Sequence, residues 1–149
     1  MERTLIIKTE RDMLGLGEQI SKHLLAGGFV AFYGGLGAGK SVLCRGIAQG
    51  LLLDHLSSPT FTIVQEYPSD PPLFHFDAYR LSDENELYAM GFEDYLDRNG
   101  LILMEWADRV PMALPEDRLD ICIEGSGCES RHVRLLPHGD NYERLVAEL

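Results

Sequence analysis

The sequence predicts a three-layer α/β fold: a mainly parallel sheet covered by helices, with antiparallel additions at one edge. Three observations predict it. Short apolar runs of strand length alternate along the chain with segments whose apolar residues recur at helical spacing. Two of the runs, residues 29–33 (FVAFY) and 101–104 (LILM), are continuously apolar, as expected of strands buried on both faces. The β-α-β order then favours parallel pairing, because a crossover helix carries the chain back to the end of the sheet where it started.

Taken in order, residues 4–7 form a short apolar strand. Thr9-Glu10-Arg11-Asp12 fits a capping box, in which a Thr side chain and an acid three residues on satisfy orphan backbone donors. Met13, Leu16, Ile20 and Leu24 then recur at helical spacing until Gly27-Gly28 stops the helix. After the strand at 29–33, a second helix runs from Lys40 with Cys44, Ile47, Ala48 and Leu51 on one face. Ser58-Pro59 opens an exposed segment, residues 61–67 alternate as a strand, and 68–72 form a turn-rich loop. Residues 73–76 are an apolar strand ending at Asp77. Ser82 caps a helical stretch that Met90-Gly91 interrupts. Residues 101–104 end at Glu105, and the weakly alternating runs 119–123 and 132–136 pair as late strands. Asp140 with Glu143 caps a short terminal helix. With no internal repeat, low-complexity tract or linker, the 149 residues read as one domain, 1–149.

Composition narrows the partners. At 45% hydrophobic residues the chain can bury a proper core. Its formal net charge is −11 and its lysines are Lys8, Lys22 and Lys40, so direct gripping of DNA or tRNA, which needs clustered basic residues, is not expected. Cys44, Cys122 and Cys128 form no C-x-x-C pair, which argues against a disulfide framework or zinc site and for reduced thiols. No apolar run reaches the ~18 residues of a membrane span and no signal-peptide core is seen, so the cytoplasm is expected.

The strongest motif follows the second strand. Gly34-Gly35-Leu36-Gly37-Ala38-Gly39-Lys40-Ser41 matches G-x-x-x-x-G-K-[ST], the Walker A P-loop. Glycines let backbone N–H groups approach phosphate oxygens, and a helix N-terminus adds partial positive charge. Lys40 reaches the β- and γ-phosphates, and the Ser41 hydroxyl ligates Mg²⁺. A glycine-rich turn beside an ordinary surface lysine is the plain alternative, but a buried strand before the loop and an amphipathic helix after it argue for the motif. The fold expected is therefore of the P-loop NTPase type, with ATP and Mg²⁺ as ligands.

Such a loop needs a second metal anchor, an apolar strand ending in a carboxylate. The strands ending at Asp77 and Glu105 both qualify, although either acid alone also fits a helix cap or a solvated side chain. Thr60, in Ser58-Pro59-Thr60-Phe61-Thr62, could sense the γ-phosphate as switch threonines do, or belong to an ordinary loop-to-strand turn. Trp106 directly follows Glu105 and either covers the nucleotide or fills the core. His75, inside an apolar strand, reads as a satisfied core histidine. The segment 82–97 (SDENELYAMGFEDYLD) has six acids and no basic residue. It reads first as a solvated helical face, while Leu87, Tyr88, Met90, Phe92 and Tyr95 also allow a docking surface for a basic partner.

Among nucleotide-binding classes, a GTPase is disfavoured because no lysine precedes an Asp by two residues in an N-K-x-D or T-K-x-D loop. A small-metabolite kinase is the competing enzyme class, although no Arg-rich lid is evident. A nucleotide-gated adaptor that barely hydrolyses ATP is the non-enzymatic option.

The loop at 34–41, together with Ser58-Pro59-Thr60-Phe61-Thr62, His75-Phe76-Asp77-Ala78-Tyr79-Arg80-Leu81, Met90-Gly91-Phe92-Glu93-Asp94-Tyr95, Glu105-Trp106 and Leu114-Pro115, resembles the TsaE family. This is the small ATPase family of bacterial tRNA threonylcarbamoyladenosine biosynthesis. The resemblance implies an ATPase that supports tRNA modification with a TsaB–TsaD-like complex and meets tRNA only indirectly. By the same resemblance Gly35, Gly37, Ala38, Gly39, Lys40, Ser41 and Val42 hold the phosphates, and Thr60 is the switch-type threonine. Lys40, Asp77 and Thr60 are then the catalytic set, Ser41, Glu105 and Asp77 the metal set, and Trp106 lies near the nucleotide. Glu10 and Arg131 correspond to nucleotide-contacting regions. Relatives commonly carry Asp after the first loop glycine, where this chain has Gly35.

Overall fold

The structure is a computed structural model, described for residues 1–53 and 63–149. Its elements are β1 (Arg3–Ile7), α1 (Glu10–Ser21), β2 (Gly28–Tyr33), α2 (Lys40–Gly50), β3 (Val64–Tyr67), β4 (Leu73–Asp77), α3 (Glu84–Ala89), α4 (Phe92–Asp97), β5 (Leu101–Glu105), β6 (Arg118–Glu124), β7 (Arg131–His138) and α5 (Asp140–Ala147). Two short 3₁₀ turns, Ala107–Arg109 and Pro111–Ala113, join β5 to β6.

One seven-stranded sheet carries the fold, in the order β1-β7-β6-β2-β5-β4-β3. β6, β2, β5 and β4 are mutually parallel at its centre. Antiparallel strands close both edges: β3 pairs with β4, and β7 joins β6 to β1. The expected single antiparallel edge is thus corrected to two. The short loop between β3 and β4 allows a hairpin, a geometry that a parallel crossover of a dozen or more residues cannot make.

The central strands alternate between two cores. Val30 and Phe32 of β2 and Leu101 and Leu103 of β5 face α1, α2 and α5. Phe29, Ala31, Ile102 and Met104 face the other way, against Leu87 of α3, Phe92 of α4 and the 3₁₀ turns. Period-two alternation with both faces buried is why these runs are apolar throughout. Among the described residues no helix is long and apolar enough to cross a membrane.

Local signals hold where the chemistry is local. Thr9 caps α1, its hydroxyl accepting from the Asp12 N–H at 3.0 Å. The helical stretch after residue 82 does break at Met90-Gly91. Its cap, however, is Asp83 rather than Ser82: Asp83 is extended and its carboxylate accepts from the Glu86 N–H. Likewise α5 starts after Gly139 with no side-chain cap. Asp140 lies inside its first turn, and the Glu143 carboxylate takes the N-terminal ammonium instead. β3 begins at Val64, and the part of its expected range at 61–62 lies outside the described residues.

Candidate active site

The loop 34–39 joins β2 to α2 at the carboxyl edge of the parallel strands. This is where open α/β sheets bind ligands, outside strand ends with parallel neighbours on either side. Gly39 sits at the start of α2 with φ 113° and offers no side-chain cap, so the first N–H groups of the helix are left for another acceptor. Gly37 also has positive φ, 75°, and no heavy atom lies within 4 Å of where its Cβ would be. The loop is therefore shaped by conformations that favour glycine and opens outward at Gly37.

Lys40 turns back over this loop. Its ammonium donates to the Gly34 carbonyl at 2.6 Å and the Gly35 carbonyl at 2.8 Å, and it lies 4.2 Å from the centre of the Trp106 ring. Burial lowers its pKa, while Glu105, Asp108 and Asp77 pull in the opposite direction. An ammonium held by carbonyl dipoles and a ring face can exchange them for an anionic ligand.

The two strand-end acids are neighbours in register, Asp77 of β4 opposite Glu105 of β5. Glu105 is 5% exposed. One of its oxygens lies 3.4 Å from the Ser41 hydroxyl and the other 2.7 Å from Nε2 of His75. Asp77 is half-buried and accepts from the Tyr79 N–H at 3.0 Å. Burial raises its pKa; the Tyr79 N–H opposes that, and Glu105 adds to it. Ser41, Lys40, Asp77 and Glu105 are thus brought together, as the sequence expected.

Trp106 follows Glu105 in the left-handed region, φ 59° and ψ 40°. A non-glycine residue there is uncommon and is held by its surroundings. Its ring meets that of Tyr79 at a tilt, with centroids 4.7 Å apart and 55° between the planes, and the Arg109 guanidinium lies 5.1 Å from the Tyr79 ring centre. Lys40, Trp106, Tyr79 and Arg109 form a continuous cation–aromatic ladder from the loop to the surface.

On the other side of the loop lies a cavity of about 270 Å³. Glu10, Met13, Gly37, Val42, Cys128 and Arg131 are among the residues lining it. Arg131 reaches from β7 to donate to the carbonyls of Ala38 at 3.0 Å and Gly37 at 3.3 Å, bracing the loop. Glu10 accepts from Arg45 of α2 at 2.6 Å. Ala38 and Gly39 share this cavity, whereas Gly35 lies in open space on the exposed side of the loop. Thr60 lies outside the described residues.

Two residues of the site were not singled out by the sequence as functional. His75 is buried and bonded to Glu105, and Cys44 of α2 lies with both: donor atoms of the three are within 4.8 Å of one another. Burial, reinforced by Glu105, pushes the Cys44 thiol well up, so it remains a neutral thiol. The available signal was strand period: His75 stands two residues before Asp77 and so shares its face.

A family model described as "Threonylcarbamoyl adenosine biosynthesis protein TsaE" matches residues 7–133. The tRNA threonylcarbamoyladenosine biosynthesis protein TsaE of Bacillus subtilis (strain 168) is 39% identical over 125 residues, 83% of this chain and 78% of the relative. The TsaE protein of Haemophilus influenzae is 38% identical, covering 97% of this chain and 95% of its own. Among solved structures, the crystal structure of B. subtilis YdiB superposes with a TM-score of 0.85 at 28% identity, over 99% of this chain and 93% of that one. With a family model spanning most of its length and relatives of this identity, the chain belongs to the TsaE family of threonylcarbamoyl adenosine biosynthesis proteins.

Proposed function

We propose that this chain binds ATP-Mg²⁺ on the glycine-rich loop and hydrolyses it, as a subunit supporting tRNA threonylcarbamoyladenosine modification with a TsaB–TsaD-like complex. The observation that carries this reading is the convergence of Lys40, Ser41, Asp77 and Glu105 beside the uncapped start of α2. In this reading Lys40 exchanges its two loop carbonyls for the β- and γ-phosphates, and the N–H groups at the start of α2 donate to the remaining phosphate oxygens. Ser41 and Glu105 form a donor set of hard oxygens, which suits Mg²⁺. When bound, the metal neutralises charge on the phosphate oxygens.

Asp77, with one oxygen held by the Tyr79 N–H, orients the attacking water and receives its proton. The base and ribose take the 270 Å³ cavity between Glu10, Val42 and Arg131. Thr60 is assigned the switch role on resemblance alone. The TsaB–TsaD-like partner is supported by the family, whose relatives are named for the same modification.

The test is nucleotide binding and turnover, alone and with purified TsaB–TsaD. Lys40→Ala should remain folded and lose hydrolysis on the order of 100-fold or more, the scale for deleting one charge-stabilising donor. Wild-type turnover in Lys40→Ala would sink the ATPase reading. A phosphorylated metabolite accumulating in place of released phosphate would move the assignment to a kinase.

A further inference from the structure

We propose that His75 is a positioning residue for the metal-binding carboxylate: its Nε2–H holds one oxygen of Glu105, so that the other is presented to Ser41 and the Mg²⁺ site. The proposal rests on the reading of Glu105 as the metal anchor given above. Strand geometry places the two residues together. His75 is opposite Leu103 in the β4–β5 register, and Glu105 lies two residues further along the same face. The histidine is 1% exposed, and its Nε2 lies 2.7 Å from Oε2 of Glu105, while Oε1 lies 3.4 Å from the Ser41 hydroxyl.

The ring's other nitrogen selects the tautomer. Nδ1 is buried and has no hydrogen-bond partner among the described residues. A ring protonated only at Nδ1 sets the Nε2 lone pair against a carboxylate oxygen at 2.7 Å, which is repulsive. A proton on Nε2 avoids this and supplies a donor to Oε2. Without it, the terminal torsion of a glutamate is broad, and the carboxylate plane can turn so that neither oxygen faces Ser41. A donor fixed by a buried β-strand therefore removes an orientation that does not bind metal, as partners behind metal ligands do elsewhere.

Three measurements test this. Long-range ¹H–¹⁵N spectra of the wild-type chain should show His75 as the Nε2–H tautomer; the Nδ1–H form would overturn the proposal whatever the variants do. In titrations of Mg²⁺ against binding of a fluorescent ATP analogue, His75→Leu should raise the half-saturating Mg²⁺ by about tenfold or more. Its nucleotide affinity in EDTA should stay at the wild-type value. His75→Gln, which keeps an N–H near the Nε2 position, should recover to within about threefold of wild type. A Gln variant as defective as the Leu variant would reduce His75 to packing. If His75→Leu does not fold, the tautomer and His75→Gln decide. Glu105→Gln is run alongside: if it shifts the Mg²⁺ dependence and His75→Leu does not, only the His75 proposal fails. If Glu105→Gln shifts nothing, the reading of Glu105 as anchor fails first.

Discussion

Glu105 and Asp77 stand side by side in different surroundings, and the proposed function gives them different work. Glu105 is buried, with one oxygen taken by His75 and the other turned to Ser41. Asp77 is only half-buried, and burial raises its pKa, which suits a proton acceptor. Asp77→Asn should therefore bind ATP-Mg²⁺ nearly as wild type but lose turnover by about 10²- to 10⁴-fold, the usual range for a general base. Glu105→Gln should instead raise the Mg²⁺ requirement. Metal titrations and turnover measured on both variants check this, and the opposite pattern would exchange the roles. Both acids were legible in the sequence because each ends an apolar run. His75 was not, because its partner lies 30 residues away, and only strand register shows that the two meet. Cys44 escaped for the same reason: a helix facing two strands is a tertiary fact.

At the scale of elements, the loop is held by what packs behind it. α1 and α2 approach through glycines. A Cβ on Gly17 would meet the backbone N of Ile47 at 2.6 Å, and one on Gly46 would meet the carbonyl of Leu14 at 2.5 Å. Alanine in a helix interior ordinarily gains about 1 kcal/mol over glycine. Here backbone meets backbone, so no side chain can swing aside and the helices must separate. Overpacking of this kind costs about 1–3 kcal/mol, and more where the backbone must move. Gly46→Ala should thus be net destabilising in urea titrations, and because α2 carries Lys40 and Ser41 it should also weaken nucleotide binding. A Gly46→Ala variant as stable as wild type would mean that the two helices slide freely.

Arg131 braces the same loop from β7, and Arg131→Ala should lower ATP affinity without changing the Mg²⁺ dependence, as read by the same titrations. Apolar runs and caps made β2, β4, β5 and the start of α1 legible. The glycine contacts left no periodic trace, and neither did the second antiparallel edge. Ser82 and Asp140 misled because an adjacent residue, Asp83 or Gly139, has the backbone geometry that starts the helix.

Across the whole molecule, charge is the property that bears on partners. The net charge is −11, and the α3–α4 face presents Glu86, Glu93, Asp94 and Asp97 in exposed positions. The interleaved apolar residues are largely committed to the interior. Leu87 and Phe92 are buried, and Tyr95 packs edge-on against Phe74 and Phe76. Tyr88 and Leu96 remain outward, at 40% and 37% exposure. Not every acid there is spare, since Glu84 accepts from the Met112 N–H at 2.8 Å and its loss would disturb the 3₁₀ turn. Charge reversal therefore belongs at Glu93, Asp94 and Asp97. On the reading that this face meets a basic surface of a TsaB–TsaD-like complex, the triple Lys variant should bind that complex at least about tenfold more weakly at low salt. The difference should narrow as salt screens the field over a Debye length of about 10 Å at 0.1 M. ATP binding should be unchanged, because the loop and its acids lie on other elements. A control variant with Lys at Glu18, Glu116 and Glu148, also exposed, makes the same change in net charge elsewhere. Equal weakening by both variants would reduce the effect to net charge. No weakening by either would leave the acidic face a solvated surface, and salt-sensitive tRNA binding by the isolated wild-type chain would overturn the expectation that this chain meets tRNA only through partners.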